Sequence, residues 1–206
     1  MKIYSHLKPN IQYHFDDLCN ENYGFTSWGP ILSCSTYRTD WIKKANFKLS
    51  EKMFYVDMEL NIYVAINCDT ITYYNLNVYR YLLGRVGQSV NRESYKRNYK
   101  HHEHVCLNMI KIYNDNINRI SDSKKQYIIN KLIIPMICTQ YEVCISYVKE
   151  KNAFSSFDKK LSQYPLFYND ARVCSKKVKF YRRMHGHFLW LNEFLVKVNI
   201  FLKRLF

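Results

Sequence analysis

The sequence predicts a helix-rich α+β fold, with a small mixed sheet followed by a mostly helical C-terminal region. Three observations carry that reading. Residues 70–81 are dense in β-branched and aromatic side chains and read as a strand. From Ser94 onward, apolar residues recur at helical spacing over three long stretches. With 48% hydrophobic and 23% charged residues, the 206-residue chain can bury a core between such elements.

In order along the chain, the aromatic lead-in Met53-Phe54-Tyr55-Val56 precedes a helix expected over 57–66. The strand 70–81 follows, and Gly84 and Gly87 then mark a turn. Helices are expected over 94–119, over 122–150 with a kink at Pro135, and over 170–205 with a break near Gly186. Ser121-Asp122-Ser123 has the composition of a helix start, because a serine oxygen can accept a free N–H of the first turn. Ser155-Ser156 and Tyr164-Pro165 read as a loop between the last two helical regions. The division expected is 1–100 for the sheet-bearing part and 101–206 for a helical region ending in a basic amphipathic tail.

Composition excludes some chemistry. Only 5 glycines are present, and neither a Walker pattern nor G-x-G-x-x-G occurs. The seven cysteines (Cys19, Cys34, Cys68, Cys106, Cys138, Cys144 and Cys174) show no C-x-x-C spacing. No secretory signal opens the sequence, so the thiols read as buried and reduced in a cytosolic protein. The run His101-His102-Glu103-His104 beside Cys106 has metal-ligand residue types. Consecutive residues on a helix diverge, though, and no second ligand cluster accompanies it, so it reads as a solvated helix face.

The net charge is +14, and it is unevenly placed. Arg172, Lys176, Lys177, Lys179, Arg182, Arg183, Lys197, Lys203 and Arg204 face a single acid, Glu193, so eight of the +14 lie from residue 172 onward. Phe180, Tyr181, Phe188 and Trp190 are interleaved with them. Such a tail suits an anionic surface, either a cytoplasmic membrane leaflet or nucleic acid. An apolar stripe over 191–205, with Lys and Asn opposite, fits a helix packed on its own domain or lying on a membrane. No apolar run reads as long and uninterrupted enough to span a bilayer.

Three segments carry a resemblance. The first is Thr26-Ser27-Trp28-Gly29-Pro30 through Thr36-Tyr37-Arg38-Thr39-Asp40-Trp41-Ile42-Lys43-Lys44. The second is Phe54-Tyr55-Val56-Asp57-Met58-Glu59-Leu60-Asn61. The third is Leu76-Asn77-Val78-Tyr79-Arg80-Tyr81-Leu82-Leu83-Gly84-Arg85-Val86-Gly87-Gln88-Ser89-Val90. Together, over about residues 24–100, they resemble the acceptor-side half of family 2 (GT-A type) bacterial glycosyltransferases of the capsule and exopolysaccharide kind. Gly-Arg-x-Gly-Gln-Ser is the most specific element.

The resemblance implies an incomplete GT-A unit. It places Asp57 as the catalytic base that takes the proton from an acceptor hydroxyl, with Glu59 partly standing in for the Glu that the family often has where Val56 lies. Arg85, Gln88 and Ser89 would face the donor diphosphate, and Trp28 would stack on an acceptor sugar. It also implies a missing half. About 25 residues precede the first segment, and no Asp-x-Asp occurs. The Mg2+ or Mn2+ that the family holds through that motif therefore has no ligands in this chain, and no cofactor is expected here.

The function expected is that of a truncated or split glycosyltransferase-like protein, not active alone. Complemented by a separate donor-binding half, it would be a hexosyltransferase acting on a saccharide or lipid-linked acceptor in surface polysaccharide assembly. Its expected place is the cytoplasm, peripheral at the inner face of the membrane through the basic tail. The alternatives are a basic nucleic-acid-binding protein or a non-catalytic partner subunit. Against the first, the sequence has no helix-turn-helix spacing, RNP motif or zinc-finger pattern.

Overall fold

The computed structural model describes residues 7–19, 34–79, 82, 88, 91–148, 150 and 152–184. In chain order the elements are β1 (Gln12–His14), α1 (Phe15–Leu18), α2 (Thr39–Ala45), α3 (Val56–Asn67), β2 (Thr70–Thr72), α4 (Arg92–Asn116), α5 (Asp122–Tyr127), α6 (Ile134–Ser146), α7 (Ala153–Leu161), α8 (Pro165–Tyr168) and α9 (Lys176–Arg183). A 3-10 turn (Ile117–Arg119) follows α4, and a π-helical stretch (Ile128–Ile133) joins α5 to α6. The fold is α+β and helix-rich, as the sequence predicts. The chain divides into two compact units interleaved in sequence, Met1–Gln88 with His104–Pro135 and Ser89–Glu103 with Met136–Phe206.

In the first unit, the sheet among the described residues is two-stranded and antiparallel, not mixed. Gln12 pairs with Thr72, Tyr13 with Ile71 and His14 with Thr70. The strand is also shorter than the 70–81 expected. The N–H of Leu76 donates to the Tyr74 carbonyl at 2.8 Å, a γ-turn that ends the extended run. Residues 74–79 are exposed, while Tyr81 and 83–87 lie outside the described residues. β propensity reports a chain that fits a half-buried pleated surface, and here β1 offers only three residues to pair with.

The helix starts follow local chemistry. Ser121 caps α5, its Oγ accepting the Lys124 N–H at 3.3 Å, and it also donates to Asp16 of α1. The π-helical stretch ends at Ile133, two residues before Pro135. Pro135 has no N–H, and its ring would crowd the carbonyl four residues back, so the turn widens where the sequence predicts a kink. The core of this unit gathers Phe15, Leu18, Ile62, Val64, Ile128 and Leu132, each almost fully buried. Each such side chain contributes roughly 1.5–3 kcal/mol by leaving water.

In the second unit, the expected loop at Ser155-Ser156 is helix. Ala153, Phe154, Phe157 and Leu161 of α7 are buried on one face, and Ser156 lies on the exposed one. The helical period, not the serine pair, decides the structure. Tyr164-Pro165 likewise opens α8, with proline at the first helical position, where its missing N–H costs nothing. Tyr141 packs against the Phe154 and Phe157 rings, with centroids 5.4 and 5.0 Å apart. Of the helix expected over 170–205, residues 170–184 are described: 170–175 form a turn, and the helix starts only at α9, where Ser175 accepts the Val178 N–H as its cap. The break near Gly186 and the stripe 191–205 lie outside the described residues.

One feature corrects the expectation about bilayer-length segments. The helical run Asp122–Ser146 is, by length and composition, long and apolar enough to cross a membrane, with a mean hydropathy of 1.3. In this structure 61% of that apolar window is buried inside the protein, as in a core helix.

Candidate functional site

The loop that leads into α3 is held in an unusual backbone conformation. Asn46, Lys52 and Tyr55 all have positive φ, at 48°, 55° and 72°. Tyr55 is the N-cap residue just before α3, and a bulky side chain in the left-handed region costs about 1–2 kcal/mol. Such a conformation persists only where the surroundings impose it. Between Asn46 and Lys52 the loop is tied down at Ser50 by Glu59, which is fully buried. Its carboxylate accepts the Ser50 N–H and the Ser50 hydroxyl, each at 2.8 Å, and the Asn108 amide at 2.9 Å. His104 Nε2 lies 3.2 Å from the same hydroxyl. These charge-assisted bonds satisfy a carboxylate that burial would otherwise make costly.

Asp57 stands on the same helix with the opposite exposure. Two residues separate it from Glu59, about 200° around a helix, so one carboxylate points inward and the other outward. Asp57 is exposed. The protein mass around it nonetheless holds its acid above the ordinary carboxylate range. That desolvation outweighs the N–H groups of Asp57 and Met58, which pull it down. The carboxylate thus serves the first turn of α3 and reaches solvent.

The remaining residues named from the resemblance are placed as follows. Glu59 is an interior anchor, out of reach of a ligand in solvent. Gln88 is half-buried, and its Nε2 donates to the Leu82 carbonyl. Trp28, Arg85 and Ser89 lie outside the described residues. The Tyr37 ring stacks on Trp41 at 5.8 Å, while Arg38 forms an exposed pair with Asp40 at 2.7 Å. Sequence reasoning does not single out Ser50 or Asn108, and it names His104 only within the histidine run, not as a neighbour of Glu59. The available signal was the four-residue spacing of His104 and Asn108, which puts both on one side of α4.

The histidine run is not the solvated face that its composition suggests. His102 and Glu103 are buried, at 1% and 7% exposure. His102 Nδ1 bonds Gln140 Oε1 at 2.8 Å, and Glu103 pairs with Lys160 at 2.6 Å. Among the described residues, no three His, Cys, Asp or Glu side chains gather as a metal site would require.

A second polar centre lies within the other unit. Asp158 of α7 accepts from Arg182 of α9, Tyr141 of α6 and Tyr168 of α8. The Arg182 guanidinium carbon sits 3.6 Å above the Tyr168 ring centroid. Four helices converge on one carboxylate there. Beside it, a cleft of about 220 Å³ is lined by Glu142 and Lys177, which pair at 2.9 Å and leave no unmatched charge between them. No family model matches the chain, and no curated protein or solved structure does.

Proposed function

We propose that the chain is the acceptor side of a family 2-type glycosyltransferase that works with a separately supplied donor-binding half. The observation that carries the proposal is Asp57. It is a solvent-reachable carboxylate of raised basicity on the first turn of α3, two residues after the strained Tyr55. In the transfer, the acceptor hydroxyl gives its proton to the Asp57 carboxylate while its oxygen forms the new bond to the anomeric carbon. The bond from that carbon to the donor diphosphate breaks, and the nucleoside diphosphate leaves with the electron pair. A carboxylate held above its ordinary pKa is a better base for that proton. Arg85, Gln88 and Ser89 are the residues proposed for the diphosphate, and Trp28 for the acceptor sugar.

The acceptor class is a saccharide or lipid-linked saccharide in surface polysaccharide assembly. The chain would meet it at the inner membrane face, with its basic tail on the leaflet. The test is incorporation of labelled sugar from a panel of nucleotide sugars into glycolipid by membranes of the producing cells. Loss of a labelled product with Asp57→Asn, and its return with the wild-type chain, is the expected result. A product profile indifferent to Asp57 would sink the proposal.

A further inference from the structure

We infer that the outer face of α9 is a docking surface for an anionic phospholipid bilayer, built from Lys176, Lys179, Phe180 and Arg183. The inference deepens the membrane-facing part of the proposed function and does not depend on Asp57. The four residues stand at i, i+3, i+4 and i+7, so they form one stripe along an eight-residue helix. All four are exposed, and the opposite face buries Val178 and Tyr181.

The rotation of the helix is fixed from beneath. Arg182 is turned inward onto Asp158 at 2.7 Å and over the Tyr168 ring, and Lys177 is taken up by Glu142 at 2.9 Å. The basic residues of α9 are thereby sorted. Two are spent on internal pairs, and three point outward with no ion pair among the described residues.

Charge complementarity identifies the occupant. Three unmatched cations along a straight ridge of about 10 Å, at 1.5 Å per residue, suit a plane of negative headgroups. Phe180 favours a bilayer over nucleic acid. It is 48% exposed in the middle of the cations, where an aromatic ring gains by entering the boundary between headgroups and acyl chains. On a duplex the same ring would meet only phosphate and sugar.

The experiment is vesicle co-sedimentation of the full chain at physiological salt. Phosphatidylcholine vesicles with and without phosphatidylserine are compared, and each variant is checked by thermal melting. Joint Lys176→Glu, Lys179→Glu and Arg183→Glu substitution should weaken binding to the anionic vesicles at least about tenfold. Joint Lys43→Glu, Lys44→Glu and Lys48→Glu substitution removes the same charge from exposed lysines of the other unit and should change it little. Phe180→Ser should lower the part of the binding that survives high salt. Should the charge reversal lower the melting temperature, Lys176→Gln, Lys179→Gln and Arg183→Gln replace it. Equal loss in both lysine sets would overturn the inference. So would absence of wild-type binding, or displacement of the vesicles by duplex DNA. Asp57→Asn should bind vesicles like the wild type, so loss of the labelled glycolipid with intact vesicle binding separates the two proposals.

Discussion

Arg182 Nε donates to Asp158 Oδ1 at 2.7 Å, and the same carboxylate oxygen receives the Tyr141 hydroxyl at 2.5 Å. Both charged side chains are mostly buried, at 14% and 17% exposure. Removing the carboxylate would strand a guanidinium and two hydroxyls among α6, α7, α8 and α9. Asp158→Ala should therefore destabilise the protein by about 3 kcal/mol or more. Arg182→Lys should recover only part of the loss, because an ammonium cannot reach Asp158 and stack on Tyr168 together. Urea unfolding of the two variants checks this, and a change under about 1 kcal/mol for Asp158→Ala would show the network to be decorative.

The sequence made that network only partly legible. Its basic residues are visible as a charged tail, but which of them turn inward depends on helix rotation, and Ser155-Ser156 disguises α7 as a loop. The apolar spacing of Phe154, Phe157 and Leu161 held the better signal. Ser121 and α3 were legible because capping chemistry and apolar period are local properties. Strand length at 70–81 was not, since pairing depends on a distant partner that propensity does not count. At the candidate site, Asp57 and Glu59 were both named from sequence. That one faces solvent and the other anchors Ser50 emerged only from their burial.

Those two carboxylates should respond oppositely to neutralisation. Glu59→Gln puts an amide donor where three donors already converge, at a cost of about 1–3 kcal/mol. Asp57→Asn removes a charge that the fold holds less comfortably than water does. It should leave stability within about 0.5 kcal/mol, or raise it slightly at neutral pH. Denaturation midpoints at pH 7 read both. A larger loss for Asp57→Asn than for Glu59→Gln would reverse the roles assigned here.

The thiols should fall into distinct reactivity classes. Burial, reinforced by Asp16 for Cys19 and by Glu103 for Cys144, pushes both thiols up to about 12. At pH 8 only on the order of one in ten thousand of each is thiolate. Cys106 is fully buried, whereas Cys34 is exposed. Titration with a chromogenic disulfide should label Cys34 first and reach Cys19, Cys106 and Cys144 only on unfolding. Loss of the fast phase in Cys34→Ser identifies it; rapid labelling of Cys144 in the folded protein would contradict the packing of α6.

His102 should give the protein a pH-dependent stability of defined sign. Burial lowers its pKa to about 4, from an ordinary value near 6.5, and the bond to Gln140 only partly opposes that. The amide is oriented by its own donations to the Tyr99 carbonyl at 3.3 Å and to the Cys144 sulfur at 3.4 Å. Gln140 therefore presents its oxygen, and His102 Nδ1 carries the hydrogen. The Tyr95 ring meets the imidazole edge-on at 5.7 Å. With a folded pKa below the unfolded one, the unfolded chain takes up a proton first as the solution is acidified. Stability is then flat above about pH 6.5 and falls between about 6.5 and 4 by about 1.4 kcal/mol per unit, after which this group contributes no further loss. The carboxylates that salt bridges hold low, such as Asp122 and Asp170, lose their contribution only as pH falls from about 4 downward, so the two windows separate. Urea midpoints at intervals from pH 7.5 to about 4 should trace that slope, and His102→Gln should flatten it whatever its cost at neutral pH. A slope unchanged in the variant would show that some other group titrates in that window.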